Sequence, residues 1–199
     1  MRPTAIATLG ILLRLVRDTV LDPREGAATV LAFAPPRQAL WLMFALVIVL
    51  TIMMVQLGEL MVAPLPDGDV LLPGIQLGMI QAVILFVVMH AIHHIGQIFG
   101  GTGQFAESML LVIWLQFIML CLQVVQFVAL ILAPPLALVV TLMAVGLVFW
   151  LLVNFIATLH GFQSLGRVCV MVILSTVGIA FLVSLVLAVL GVSIPEGYV

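Results

Sequence analysis

Residues 108–159 read SMLLVIWLQFIMLCLQVVQFVALILAPPLALVVTLMAVGLVFWLLVNFIATL, about fifty residues without one charged side chain. A helix needs about 20 apolar residues to cross the hydrocarbon core of a bilayer. The stretch is therefore too long for one crossing and long enough for two. The break falls at Pro134-Pro135, because proline lacks the N–H that would continue a helix and its ring clashes with the preceding turn. The reading is two antiparallel membrane spans, about 108–132 and 136–159, joined by a tight hairpin.

Working outward, three more apolar runs of spanning length lie at about 39–62, 75–98 and 168–192. The composition agrees. Of 199 residues 65% are hydrophobic and 7% charged, and all six basic residues are Arg. A soluble domain carries roughly a quarter charged residues, and a disordered chain is polar, whereas here the mean hydropathy is +1.44. Both classes are excluded. A net charge of −2 gives no sign of nucleic-acid binding. Cys121 and Cys169 lie inside apolar runs, which argues against a disulfide framework. The fold class is all-α, a polytopic membrane protein of five transmembrane helices preceded by an amphipathic interfacial helix. The division expected is an interfacial segment 1–37 and a transmembrane domain 38–199.

No signal peptide is expected, because Arg14 and Arg17 interrupt the first apolar run and no small-residue cleavage site follows it. Residues 4–20 read instead as a helix lying in the membrane surface. Ile6, Leu9, Leu13, Val16 and Val20 recur at spacings of three and four, while Gly10, Arg14, Arg17 and Asp18 take the other face. Arg14 and Arg17 are the expected lipid-surface contacts. Asp22-Pro23 ends this helix, and residues 26–34, closed by Pro35-Pro36, read as a second interfacial turn or short helix. Five spans put Arg2, Arg14, Arg17, Arg24, Arg37 and Arg167 on one side, and Asp67, Asp69, Glu196 and Glu59 on the other. Basic residues in short loops stay cytoplasmic. The expectation is a cytoplasmic N terminus and a periplasmic C terminus, in a bacterial inner membrane.

Chemistry is sparse. His90, His94 and Gln97 form a stripe near the end of the second span, with His93 beside it, since residues three and four apart share a helix face. Imidazole nitrogens bind zinc, copper or haem iron, and Glu107 and His160 are the available further ligands. The competing reading is that these side chains are polar groups at headgroup level. Among the buried amides, Gln116, Gln123 and Asn154 are expected to bond between helices, with Gln56, Gln81 and Gln126 in the same class. Gly74-x-x-x-Gly78 and Gly96-x-x-x-Gly100 let helices approach closely. Residues 99–105, Phe-Gly-Gly-Thr-Gly-Gln-Phe, loosely mimic a dinucleotide fingerprint, but that motif follows a strand and this one follows a span. A phosphate-binding loop is impossible without Lys. Ser164, Ser175 and Ser184 lack a nucleophile context. No enzyme signature and no cofactor are expected.

The layout resembles the bacterial branch of the Yip family, Rab-interacting five-span membrane proteins. The resemblance rests on Asp22-Pro23-Arg24-Glu25, the five spans, the glycine turn at 99–105 and the short loop at 161–167. It implies a cytosolic N terminus, five helices and self- or hetero-association. The Asp-Leu-Tyr-Gly-Pro motif of eukaryotic members is missing, so no Rab role and no site residues carry over. Arg without Lys suits a GC-rich bacterial genome. The leading functional reading is a non-enzymatic membrane scaffold whose partners are membrane lipids and other membrane proteins or further copies of itself. The alternatives are a small carrier with a polar path along Gln116, Gln123 and Asn154, and a metal- or haem-binding subunit using His90 and His94.

Overall fold

The computed structural model describes residues 5–61 and 74–189, and every element among them is an α-helix. Arg2, Asp67, Asp69 and Glu196, and the side chain of Glu59, lie outside what is described. The helices are α1 (Ala5–Leu21), α2 (Pro23–Ala32), α3 (Arg37–Met61), α4 (Gly74–Ile98), α5 (Phe105–Leu132), α6 (Pro134–His160) and α7 (Leu165–Val189). Four are long and apolar enough to cross a membrane, over Arg37–Gly58, Gly78–Ile98, Phe105–Leu132 and Pro135–His160, and α7 is a fifth apolar helix.

Local chemistry places each boundary. Asp22 accepts from the N–H groups of Arg24 and Glu25 at 3.2 and 3.1 Å, and Pro23 opens α2 where a missing N–H is harmless. Ala133 alone, in extended conformation, separates α5 from α6, with the two prolines in the first turn of α6. The apolar run is thus two helices and a one-residue hinge. The Glu107 carboxylate accepts the Gln104 N–H at 2.7 Å to start α5. Gly161, at φ 72, ends α6, and the Phe162 N–H returns to the Ala157 carbonyl at 2.8 Å, a left-handed cap that glycine enters without a Cβ penalty.

α5 is the hub, packed against α2, α3, α4 and α6. The two turns from Ser108 to Leu115, just after its first, are buried all round. Leu151, Phe155 and Leu159 of α6, Met89 of α4 and Leu40 and Phe44 of α3 complete this core, so it gathers where α4 and α6 end and α3, α5 and α7 begin. Towards the other end the helices bare Leu136, Leu138, Leu142 and Met143, as suits surface facing lipid tails.

The N-terminal pair departs from a simple surface location. α2 lies across α5 and α6, with Ala27 and Val30 buried in the main core. α1 is held to it where Gly26 meets Thr19, leaving no room for a Cβ. Thr19 is fully buried; its hydroxyl accepts from Trp114 Nε1 at 3.3 Å and donates to the Leu15 carbonyl at 2.7 Å. The inward face of α1 is therefore Leu12, Leu15, Val16, Thr19 and Val20, while Leu9 and Leu13 of the expected apolar stripe turn outward. The stripe is divided because α1 serves two surroundings, the bundle on one flank and open surface on the other.

Candidate functional site

The most constrained polar feature is His160, the last residue of α6, only 3% exposed. Its Nδ1 accepts the Gly103 N–H at 3.2 Å, and its Nε2–H donates to the Ile92 carbonyl at 3.0 Å. Accepting at Nδ1 and donating at Nε2 fixes one neutral tautomer. A Cβ at Gly96, Gly101 or Gly103 would run into the imidazole or its neighbour Leu159. The glycine turn thus has a concrete task. It wraps the backbone around a ring too close to admit side chains. Gly100 adds the left-handed residue (φ 86) that ends α4, with the Gly101 N–H on the Gly96 carbonyl at 2.8 Å.

A second layer surrounds this cage. His93 Nδ1 donates to the Gly103 carbonyl at 3.2 Å, so the turn is gripped from α4 as well as α6. His90 donates to the Phe86 carbonyl of its own helix at 2.9 Å and sits between the Phe86 and Phe105 rings, with centroids at 4.2 and 4.6 Å. His94 is exposed. Glu107 is committed to the α5 cap. Among the described residues, no three His, Cys, Asp or Glu side chains come together as a metal site. The His94 ring lies 6.0 and 4.9 Å from those of His90 and His93, and the hydrogen bonds of His90, His93 and His160 run to backbone rather than to a common centre.

The amides divide likewise. Asn154 is buried, yet its Nδ2 donates to the Trp150 carbonyl of the same helix at 2.9 Å. Gln116 is half-buried. Gln123 has a buried Oε1 with no partner among the described residues. The polar link between α5 and α6 is made by Gln126, whose Nε2 donates to Thr141 Oγ1 at 2.7 Å, with that hydroxyl donating on to the Ala137 carbonyl at 2.9 Å. Arg14 and Arg17 are both exposed, and Arg17 pairs with Asp18 at 3.0 Å.

Beside the cage, the α6–α7 turn opens into a groove of about 700 Å³ whose walls include Phe99, Phe162 and Arg167. Phe162 stacks on His160 with centroids 5.6 Å apart.

The Yip1 domain matches residues 17–185, from near the end of α1 to near the end of α7. The chain belongs to the Yip1 family. The matched span takes in the Asp22-Pro23 cap, the glycine turn, the proline hinge and His160 of this Yip1 domain. No curated protein and no solved structure matches the chain.

The glycine cage and the Thr19–Trp114 bond were not anticipated from sequence, and for the Gln126–Thr141 bond only the interhelical role of Gln126 was. A signal for the cage was present, because glycines at 96, 101 and 103 exceed what one turn requires. The hydrogen-bonding threonines carried none, since a hydroxyl in an apolar run more often returns to its own helix.

Proposed function

We propose that this Yip1 chain is a non-enzymatic membrane scaffold. It associates with other membrane proteins, or with further copies of itself, and with the cytoplasmic lipid surface. The observation that carries the reading is how the polar side chains are spent. His160, His93, Asn154, Gln126 and Thr141 are bonded within the bundle. Ser175 and Thr176, on the wall of a small cavity between α4, α6 and α7, turn back to the Met171 and Val172 carbonyls. A carrier needs a run of polar groups free to meet a substrate; of the path named for one, Asn154 is turned back on its own helix, and the Gln123 oxygen without a partner among the described residues is a single buried atom.

The proposed setting is a bacterial inner membrane, with residues 1–37 on the cytoplasmic side and the C terminus in the periplasm. The positive-inside rule supports it, since Arg24, Arg37 and Arg167 belong to the end where α3 and α7 begin. The test is affinity purification of the full chain from membranes in mild detergent after in-cell cross-linking, with metal analysis of the same sample. Discrete cross-linked membrane-protein partners or a defined homo-oligomer are expected. A monodisperse monomer with no cross-linked partner would overturn the scaffold reading, and one equivalent of bound zinc, copper or iron would replace it.

A further inference from the structure

The groove at the α6–α7 turn has an unusual pairing of walls. Its polar end is formed by Ser164, Gly166 and Arg167, and its apolar side by Phe162, Val170 and Leu174. Arg167 and Leu174 are seven residues apart on α7, a rise of about 10 Å along a helix. Polarity therefore falls off along the axis of a membrane helix, from the loop inward. We propose that this groove binds one anionic glycerophospholipid, with its phosphate on Arg167 and the first turn of α7 and an acyl chain along Val170, Met171 and Leu174.

Charge makes the phosphate end specific. Arg167 sits in the first turn of α7, which contains no acidic residue. A helix N-terminus is already positive and has amides without intrahelical acceptors, so a cation there is in the less favourable place until an anion arrives. The Ser164 side chain reaches only the Arg167 N–H, at 3.4 Å. Among the described residues no carboxylate pairs with Arg167, the one ion pair being Arg17–Asp18. No Asp or Glu lines the groove, so the cationic headgroup of a zwitterionic lipid finds no counterpart. An anionic lipid meets only favourable charge.

The apolar end is prepared in advance. Phe162 is stacked on His160, and His160 is fixed by Ile92, Gly103 and the surrounding glycines. The opposite wall, Phe99, belongs to the same glycine turn. A wall anchored to the tightest point of the fold loses little freedom when a chain settles on it. The proposal rests on membrane location alone and holds whether or not the protein assembles with partners.

The test is native mass spectrometry of the full chain, purified in detergent and exchanged with phosphatidylglycerol or phosphatidylcholine. One retained phosphatidylglycerol per chain is expected, in clear preference to phosphatidylcholine. Arg167→Gln should weaken retention about fivefold, the worth of one arginine at an anionic surface. Arg167→Lys should keep most of it. Val170→Asn, at an exposed position on the apolar wall, should weaken retention of both lipids while leaving Arg167 in place, and it decides the matter if Arg167→Gln fails to fold. Equal retention in Arg167→Gln and wild type, or no preference over phosphatidylcholine, would overturn the proposal. So would thermal stabilisation by millimolar inorganic phosphate equal to that by the lipid, which would mark a plain phosphate site. Cross-links from position 170 to a polypeptide rather than to lipid would likewise replace the lipid with a protein partner.

Discussion

His160 shows how much one side chain can organise inside an apolar bundle. Between helices in lipid the hydrophobic effect offers little, so packing and hydrogen bonds decide the arrangement. This ring supplies both to α4, to the turn after it and to α6. His160→Ala removes two hydrogen bonds and leaves a void at a buried site, a loss of about 3 kcal/mol. Gly101→Ala drives a methyl into the same ring, which other glycines hold from moving aside, at about 1–3 kcal/mol. Thermal unfolding in detergent should show both variants well below wild type, with Gly146→Ala, where the space is open, at or above it. Equal midpoints for all three would mean that the cage is not a stabilising contact. The amides on α5 give a contrast of sign. Gln126→Leu breaks the bond to Thr141 and should cost about 0.6–1.7 kcal/mol. Gln123→Leu removes an oxygen that is buried without a partner among the described residues and should be neutral or stabilising.

At the scale of elements, α1 and α2 illustrate what periodicity can and cannot reveal. Spacings of three and four and the Asp22-Pro23 stop are enough to place α1, whereas α2 begins at Pro23, three residues before the 26–34 segment read from the sequence, because Asp22 caps it and Pro23 fits its first turn. Which flank of α1 meets the bundle depends on Thr19, a polar residue that a hydropathy pattern assigns to the outside and that the Trp114 N–H draws in. Thr19→Val deprives the buried indole N–H of its acceptor, and Gly26→Leu forces the two helices apart. Both should make α1 cleavable by protease in liposomes while α3–α7 stay protected. The outward arginines act on a different surface. Replacing Arg14 and Arg17 by Glu removes about 1 kcal/mol each of attraction to anionic headgroups. Exposed-face labelling of α1 should rise in anionic vesicles and stay level in neutral ones. Unchanged labelling in anionic vesicles would show that docking to α2, not lipid, holds α1 down.

For the whole molecule, the helix count and order were legible because long apolar runs broken by proline and glycine admit few other structures. The site was less so, because a cage of backbone around a ring leaves only glycines as its trace, and those also serve turns. Sequence shows that His90, His93 and His94 share a helix end, and the reading of them as polar groups rather than metal ligands leaves open which acceptors they meet; the structure gives His90 and His93 the carbonyls of Phe86 and Gly103.

Orientation joins these levels, since it follows from the number of crossings and the position of the arginines together. The proline hinge between α5 and α6 and the turn between α6 and α7 lie at opposite ends of α6. If α6 crosses the membrane, a label placed at the hinge and one placed at the second turn must react from different sides. In a chain whose Cys121 and Cys169 are replaced by Ala, Ser164→Cys should react with an impermeant thiol reagent only in inverted inner-membrane vesicles, as should Arg24→Cys. Leu136→Cys should react only in intact spheroplasts. The positive-inside rule favours this polarity, because reversing it would carry Arg24, Arg37 and Arg167 across the bilayer and leave the far side as the basic one. Reaction of residues 136 and 164 from the same side would contradict the crossing by α6. Reaction from opposite sides with the polarity reversed would retain the five helices and overturn only the cytoplasmic assignment.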